Sequence, residues 1–316
     1  VPRESDLRAR AGILYVIQTT AEDGHCFCPW EVLLEEGQKL LDIPTEILDN
    51  AMKYEISQGN LVEECGNVYL ASLHQDEVGI ARRMHELLAT PHDFPAIDVA
   101  RALPWADRRM KITFAQAQAD ALRMALSEKV SIITGGPGVG KTTIIRALVD
   151  VFRQRGITVS LAAPTGRAAK RLSEATRSEA KTLHRLLEFQ PRTATFLRGP
   201  ATPLESTVFI LDEVSMIDTP LMHHFISALA PRSHLILVGD SDQLPSVGPG
   251  SILKDLIASG SMPSRRLDTI FRQQSRSWIV LNAHRVNSGQ SLELPTSADL
   301  SDFYFVREED PDQVIA

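Results

Sequence analysis

Residues 135–143 read GGPGVGKTT, and further along the hydrophobic run Val208–Leu211 ends in Asp212-Glu213. The first stretch fits G-x-x-x-x-G-K-[ST] through Gly135, Gly140, Lys141 and Thr142. Triphosphate oxygens need many short donors at close range. A loop made of Gly135, Gly136, Pro137, Gly138, Val139 and Gly140 lets the backbone wrap phosphates with its N–H groups turned inward. Lys141 supplies a mobile point charge for the β and γ groups. The Thr142 hydroxyl suits Mg²⁺, a hard cation that takes oxygen ligands, and Thr143 continues the turn. The expected ligand is therefore a nucleoside triphosphate with Mg²⁺.

The second stretch places two acids at the carboxyl end of a buried-type strand, where open α/β sheets put their sites. Asp212 is the expected Mg²⁺ ligand, together with Thr142. Glu213 is the expected base that orients and deprotonates a water. Asp-Glu is also a common solvated strand end, and it is the phosphate loop upstream that favours the catalytic reading.

The elements that must carry these loops follow from periodicity. Val130–Thr134 is a β-rich run, and Thr143–Arg153 has helical spacing, so strand, glycine loop and helix start form a dipolar anion site. Strand-like and helix-like runs then alternate at 157–162, 166–176, 180–187, 207–211, 218–229 and 234–239. This predicts an α/β fold: a P-loop NTPase (RecA-like) parallel sheet with helices on both faces, over residues 106–260. Residues 188–206, with TATFL as a strand, interrupt the alternation as a protruding hairpin insert. Residues 1–90 read as helices at Asp6–Gln18, Pro29–Leu41, Thr45–Gln58 (Thr45 as N-cap) and Glu77–Ala89. Strands at Leu61–Glu64 and Asn67–Ala71 flank Cys65-Gly66, which makes this a winged-helix-like domain. Residues 91–105 contain three prolines and read as a linker, and a third unit is expected over 261–316 with a strand at Phe303–Val306.

At 316 residues, 43% hydrophobic and 23% charged, the composition is that of a globular protein of two or more domains. No apolar run is long enough for a membrane span. The first residues show no secretory leader, and three cysteines form no disulfide framework, so a cytoplasmic protein is expected. The start without Met and the abrupt end suggest a piece of a longer protein. His25, Cys26, Cys28, Cys65 and His74 do not have a standard metal-ligand spacing, and a buried role is the favoured reading. Net charge is −7, but residues 151–200 hold ten basic residues against three acidic ones. Such a stripe is the footprint of a phosphate-backbone partner, and it is expected to face the carboxyl ends of the strands.

Three further stretches carry polar groups out of strands or past the core. In LAAPTGRAA, residues 161–169, Thr165 starts a helix with Arg167 and Lys170 in its first turns, which suits a phosphate. In LILVGDSDQLPSVGPG, residues 235–250, a buried strand delivers Asp240, Asp242 and Gln243; an amide can report the γ-phosphate or the water. In DTIFRQQ, residues 268–274, Arg272 could act as an arginine finger. Each alone is also an ordinary turn or surface group.

As a set, GGPGVGKTT, APTGRAAKRL, TLHRLL, LDEVSM, LVGDSDQLPSVGPG and IFRQ resemble the superfamily-one DNA helicases, in particular the RecD-like 5′→3′ branch. The resemblance covers roughly residues 106–290 and implies a RecA-like first motor domain over 106–260 and the start of a second motor domain over 261–316. GHCFCP and GNLVEECGNVYL are similar to the segment that precedes the motor in the long RecD-like proteins. The resemblance implies ATP-driven translocation on single-stranded DNA and unwinding at single-strand/duplex junctions, in repair or recombination, with repair or nuclease proteins as partners and no membrane. It implies that Gln118, rather than Gln116, reads adenine, that Gln243 couples the site, and that Arg272 touches the γ-phosphate. Pro164, Thr165, Arg167 and His184 fall in DNA-contacting segments, and 188–206 matches a duplex-splitting hairpin. The family's later motifs are not found, so a part of a longer helicase is implied. Two other readings are the helicase region of a conjugative relaxase and a nucleotide-dependent regulatory subunit of an exonuclease complex. The first lacks a nicking Tyr and His cluster in residues 1–100.

Overall fold

The structure is a computed structural model that describes residues 2, 5–269, 277–294, 301–304 and 306. The chain begins with α1 (Asp6–Glu22), β1 (Phe27–Pro29), α2 (Trp30–Leu41), α3 (Thr45–Ser57), β2 (Leu61–Glu64), β3 (Asn67–Leu70) and α4 (Ala71–Ala89). Apolar residues at helical spacing, among them Ala9, Ile13, Ile17, Leu33, Leu48 and Met52, close a small core under a three-stranded antiparallel sheet ordered β1-β3-β2. Cys65 and Gly66 both have positive φ, +52° and +80°, the two-residue turn whose twist matches a hairpin. Thr45 is not the N-cap expected of it. Pro44 holds that position and Thr45 is the first helical residue, with no side-chain cap bond.

The chain continues through α5 (Val99–Met110), α6 (Gln116–Ser127), β4 (Val130–Gly135), α7 (Lys141–Gln154), β5 (Val159–Ala163), α8 (Gly166–Thr176), β6 (Ala180–Thr182) and α9 (Leu183–Leu186). The remaining elements are β7 (Phe189–Gln190), β8 (Thr195–Phe196), β9 (Val208–Leu211), α10 (Thr219–Ser227), β10 (His234–Gly239), α11 (Ile252–Ala258), β11 (Ser264–Leu267) and α12 (Trp278–Asn287). Six strands form one sheet in the order β11-β4-β10-β9-β5-β6, all pairs parallel. Its middle strands are mostly apolar because both faces are covered. Phe209, Leu211, Leu235 and Leu237 join the core under α10 and α11. Val208, Ile210, Ile236 and Val238 join the opposite core under α6, α7 and α8.

Three boundaries differ from the sequence expectation. The winged-helix-like domain does not run to residue 90 as a separate body: Ile80, Met84 and Leu87 of α4 sit in the sheet core with α10. Residues 91–105 are not a plain linker. Asp98 accepts from the Arg101 N–H and starts α5, which runs through Pro104, while Phe94 and Ile97 are buried against α7 and α6. A single proline costs a helix one hydrogen bond, and the burial of this amphipathic face outweighs it. Finally, residue 261 does not leave the sheet for a new unit, because Ser264–Leu267 pairs with β4 as the edge strand of the same sheet. Its sequence, SRRL, shows no apolar run because only Leu267 is buried. Phe303, Tyr304 and Val306 form no strand.

The insert at 188–206 forms the hairpin β7–β8, but its root is packed rather than protruding. Phe196 packs on the core, Leu204 is buried, and the Leu204 N–H donates to the Ala228 carbonyl. A seam joins the first unit to the sheet. The Gly250 N–H donates to Gly24 O at 3.0 Å, the Cys26 thiol meets the Thr219 hydroxyl at 3.4 Å, and His223 Nδ1 lies 2.6 Å from Asp76 Oδ1. Burial pushes the Cys26 thiol up to about 12, so it is a neutral packing group here.

At the far edge of the sheet His234 is fully buried among Phe94, Phe152 and His92, and donates from Nε2 to Ala125 O. Desolvation first, set against that backbone bond, lowers it to about 4. The unfolded chain protonates near 6.5, so it binds the proton first and stability falls as pH drops from about 6.5 towards 4. Denaturant titrations should show about 2 kcal/mol less stability at pH 5 than at pH 7 from this residue. His234→Gln should remove that part of the pH dependence.

Candidate nucleotide site

Three neighbouring strands, β4, β10 and β9, send their carboxyl-end loops to one edge. Strands spaced about 4.8 Å apart bring all three loops within reach of one triphosphate. After β4 comes the loop Gly136–Gly140, with positive φ at Gly138 (+80°) and Gly140 (+85°). These conformations favour glycine. Helix α7 begins at Lys141, earlier than the Thr143 expected from periodicity, so Lys141 and the exposed Thr142 stand in its first turn. The Lys141 ammonium donates to Gly135 O and, at 3.0 Å, to Gly136 O. Val139 is buried and Thr143 half-buried.

After β9, Asp212 is held by its backbone N–H to Ala162 O and accepts from the Glu213 N–H at 3.0 Å. Glu213 itself takes the left-handed conformation, φ +55°. Its Oε2 is buried without a hydrogen-bond partner in the protein. Burial raises Asp212 to about 6, the Glu213 charge adds to this, and the Glu213 N–H and Lys141 only partly offset it. Two adjacent acids in a desolvated corner, one oxygen lacking a protein partner, form a hard-oxygen donor set with surplus negative charge. This chemistry fits a divalent cation such as Mg²⁺.

After β10, Asp240 is buried and Gln243 exposed. Gln243 Oε1 lies 3.4 Å from the Ser215 hydroxyl, two residues beyond Glu213. Asp242 is held below the usual carboxylate range. Burial opposes its ionisation, but hydrogen bonds from Arg266 and Asn287 outweigh that cost. The Ser241 N–H donates to Thr134 Oγ1 at 3.0 Å, tying this loop to β4. A cleft of about 540 Å³ runs from Gly136 and Pro137 past Asp240 and Gln243 to α12.

Several side chains lie differently from the sequence reading. Gln118 is 1% exposed, with Oε1 accepting from the Ala115 N–H and Nε2 donating to Val139 O, both at 3.2 Å. It braces the glycine loop, with one N–H and one carbonyl lone pair of its amide engaged. Gln116 is exposed and donates to Asp120. Arg272 lies outside the described residues. The ten basic residues do not share one edge. In a parallel βα unit the helix starts at the carboxyl edge and runs back, about 1.5 Å per residue. Arg167, Lys170 and Arg171 therefore stand near that edge, while Arg153, Arg155 and Arg177 end helices at the other, and Arg198 pairs with Glu188. Near the edge lie Pro164, half-buried, and Thr165, which caps α8 by accepting from the Ala168 N–H. His184 is exposed and contacts Phe189 and Phe196 at 5.4 and 5.7 Å between ring centres. Sequence reading assigned no role to Ser215, Thr134, Arg266, His284 or Asn287. Ser215 lay inside a quoted motif; for the others only proximity in space carries the signal.

The sheet, the glycine loop and the paired acids define a P-loop NTPase motor domain. Residues 118–249 match the family described as "AAA domain". The chain is 32% identical over 299 residues to the ATP-dependent RecD2 DNA helicase of Deinococcus radiodurans, covering 90% of this chain and 41% of that protein. It is 36% identical over 231 residues to the RecBCD enzyme subunit RecD of Mycobacterium tuberculosis, covering 65% and 40% respectively. The ATP-dependent DNA helicase dda of Enterobacteria phage T4 is 36% identical over 134 residues, 40% of this chain and 30% of that one. The chain thus spans about two fifths of the first two relatives. Within the P-loop class its sequence is similar to the RecD-like helicases over this span. Among the described residues no helix is long and apolar enough to cross a membrane.

The placement of Gln118 makes a sharp expectation. Gln118→Leu should leave the Ala115 N–H and Val139 O without partners and cost about 1–3 kcal/mol in denaturant unfolding. The exposed Gln116→Leu should change stability by less than about 0.5 kcal/mol.

Proposed function

We propose that this chain is the ATP-hydrolysing part of a 5′→3′ DNA helicase that moves on single-stranded DNA and opens duplex junctions in repair or recombination, in the cytoplasm. The observation that carries the proposal is the convergence of Lys141, Asp212, Glu213 and Gln243 on one sheet edge, with a buried Glu213 oxygen that lacks a protein partner. Lys141 and the loop N–H groups bind the β- and γ-phosphates. Thr142 and Asp212 would hold Mg²⁺, which when bound would neutralise charge on the phosphate oxygens. Glu213 takes a proton from the attacking water, and Gln243, linked through Ser215 to the same loop, senses its progress. Arg272 is assigned to the γ-phosphate by its motif. The direction of travel and the repair role rest on the RecD-like motifs.

DNA is assigned to the same edge. Thr165, Arg167 and Lys170 at the start of α8 suit backbone phosphates, with Pro164 beside them, and His184 with Phe189 and Phe196 offers a stacking surface for bases. The hairpin tip near Arg192 is assigned to strand separation. A second reading, a subunit of an exonuclease complex, is favoured by the 36% identity to a RecBCD enzyme subunit. Nuclease subunits retained on the protein through purification would support it.

Lys141→Ala should abolish Mg²⁺–ATP binding measured by calorimetry. Glu213→Gln in the whole protein should keep ATP binding while DNA-stimulated turnover drops about 10²–10⁴-fold. Unchanged turnover would remove Glu213 from the mechanism.

The packed root of the insert narrows the test of the hairpin. Deleting all of 188–206 would strip Phe196 and Leu204 from the core. Replacing only Pro191–Ala194 by Gly-Gly should spare single-strand-stimulated ATPase and suppress unwinding of forked duplex. Unwinding at the normal rate would make the hairpin a surface loop.

A further inference from the structure

Helix α12 lies across the mouth of the glycine loop, and two of its side chains, one turn apart, tie it down. His284 Nε2 donates to Pro137 O at 3.0 Å. Asn287 Nδ2 donates to Asp242 Oδ2 at 2.7 Å, and Arg266 holds the same carboxylate. The approach is close: a Cβ added at Gly136 would stand 2.8 Å from His284 Cε1. A side chain at this position would have to push the imidazole aside.

A peptide unit is planar and trans, so its C=O and N–H point in opposite directions. Anchoring the Pro137 carbonyl on His284 therefore turns the Gly138 N–H away from α12. Pro137 has no N–H of its own, and Gly138 (φ +80°) follows it, so this peptide plane has little else to stop it from flipping. Gln118 acts in the same way on the next carbonyl but one. It holds Val139 O and so sets the direction of the Gly140 N–H. Two side chains from separate parts of the chain thus brace two carbonyls, those of Pro137 and Val139, of one phosphate loop.

We propose that His284 is a positioning residue for nucleotide binding: its hydrogen bond to Pro137 O keeps the Gly138 N–H aimed at the phosphates. The inference rests on the reading of Gly135–Thr143 as a phosphate site. It also makes the loop's readiness depend on α12 staying in place, so movement of that helix would alter phosphate affinity without touching Lys141 or Asp212.

The test is calorimetric titration of Mg²⁺–ATP and Mg²⁺–ADP into the chain carrying His284→Leu, His284→Gln or Lys141→Ala, with thermal unfolding followed in parallel. His284→Leu removes the donor and should weaken both nucleotides about 3–10-fold. His284→Gln restores an N–H donor of similar reach and should bind within about twofold of the parent. A purely structural role would instead lower the unfolding temperature in both His284 variants and give no rescue by Gln, and this result would overturn the proposal. Unchanged binding in His284→Leu, with binding lost in Lys141→Ala, would overturn it while leaving the phosphate site standing. Unchanged binding in Lys141→Ala would remove the phosphate site and the proposal together.

Discussion

Parallel pairing of β10 between β4 and β9 is the constraint on which the nucleotide site depends. The register aligns Gly239 with Thr134 and Leu237 with Leu211, so three loops leave the sheet at nearly one level. Parallel strands buried on both faces cannot slip by one residue without moving Phe209, Leu211, Leu235 and Leu237 to the wrong core. The packing that stabilises the sheet therefore also fixes the relative height of Lys141, Asp212 and Gln243.

Within that frame the site is strained electrostatically rather than optimised for stability. Asp212 and Glu213 are adjacent, desolvated and like-charged, and Glu213 sits in a left-handed backbone conformation. Such costs persist where surrounding structure enforces them, and they concentrate at functional positions. The Gln243 loop shows the opposite treatment, with Asp242 held ionised by Arg266 and Asn287 and the loop base tied to Thr134.

The loop between these acids and the first unit joins chemistry to architecture. Gly250, at its far end, donates to Gly24 O, and a Cβ there would stand 2.0 Å from the Thr219 hydroxyl and 3.2 Å from Cys26 Sγ. Ser246 donates to Gly248 O and Gly250 O inside the same turn. The winged-helix-like unit is thus bolted to the segment that carries Gln243, and α4 completes the core beneath it. The Cys26 thiol, a candidate for chemistry by residue type, is a packing contact in this seam.

Local chemistry made the phosphate loop, the Asp212-Glu213 strand end, the hairpin turn at Cys65-Gly66 and most core strands readable from sequence alone. Glycines with positive φ, continuous apolar runs and amphipathic spacing are properties of neighbouring residues, and they survive whatever the chain does elsewhere. Contacts between distant segments decided the rest. The SRRL strand is invisible to hydrophobic pattern because it is an edge. Helix α5 forms through a proline because α6 and α7 bury its face, and α4 leaves the first unit because α10 offers it a larger core. Gln118 met a carbonyl 21 positions away in sequence, and His284 met Pro137 across 147. The basic residues of 151–200, contiguous in sequence, were parted because a helix carries its two ends to opposite edges of a sheet.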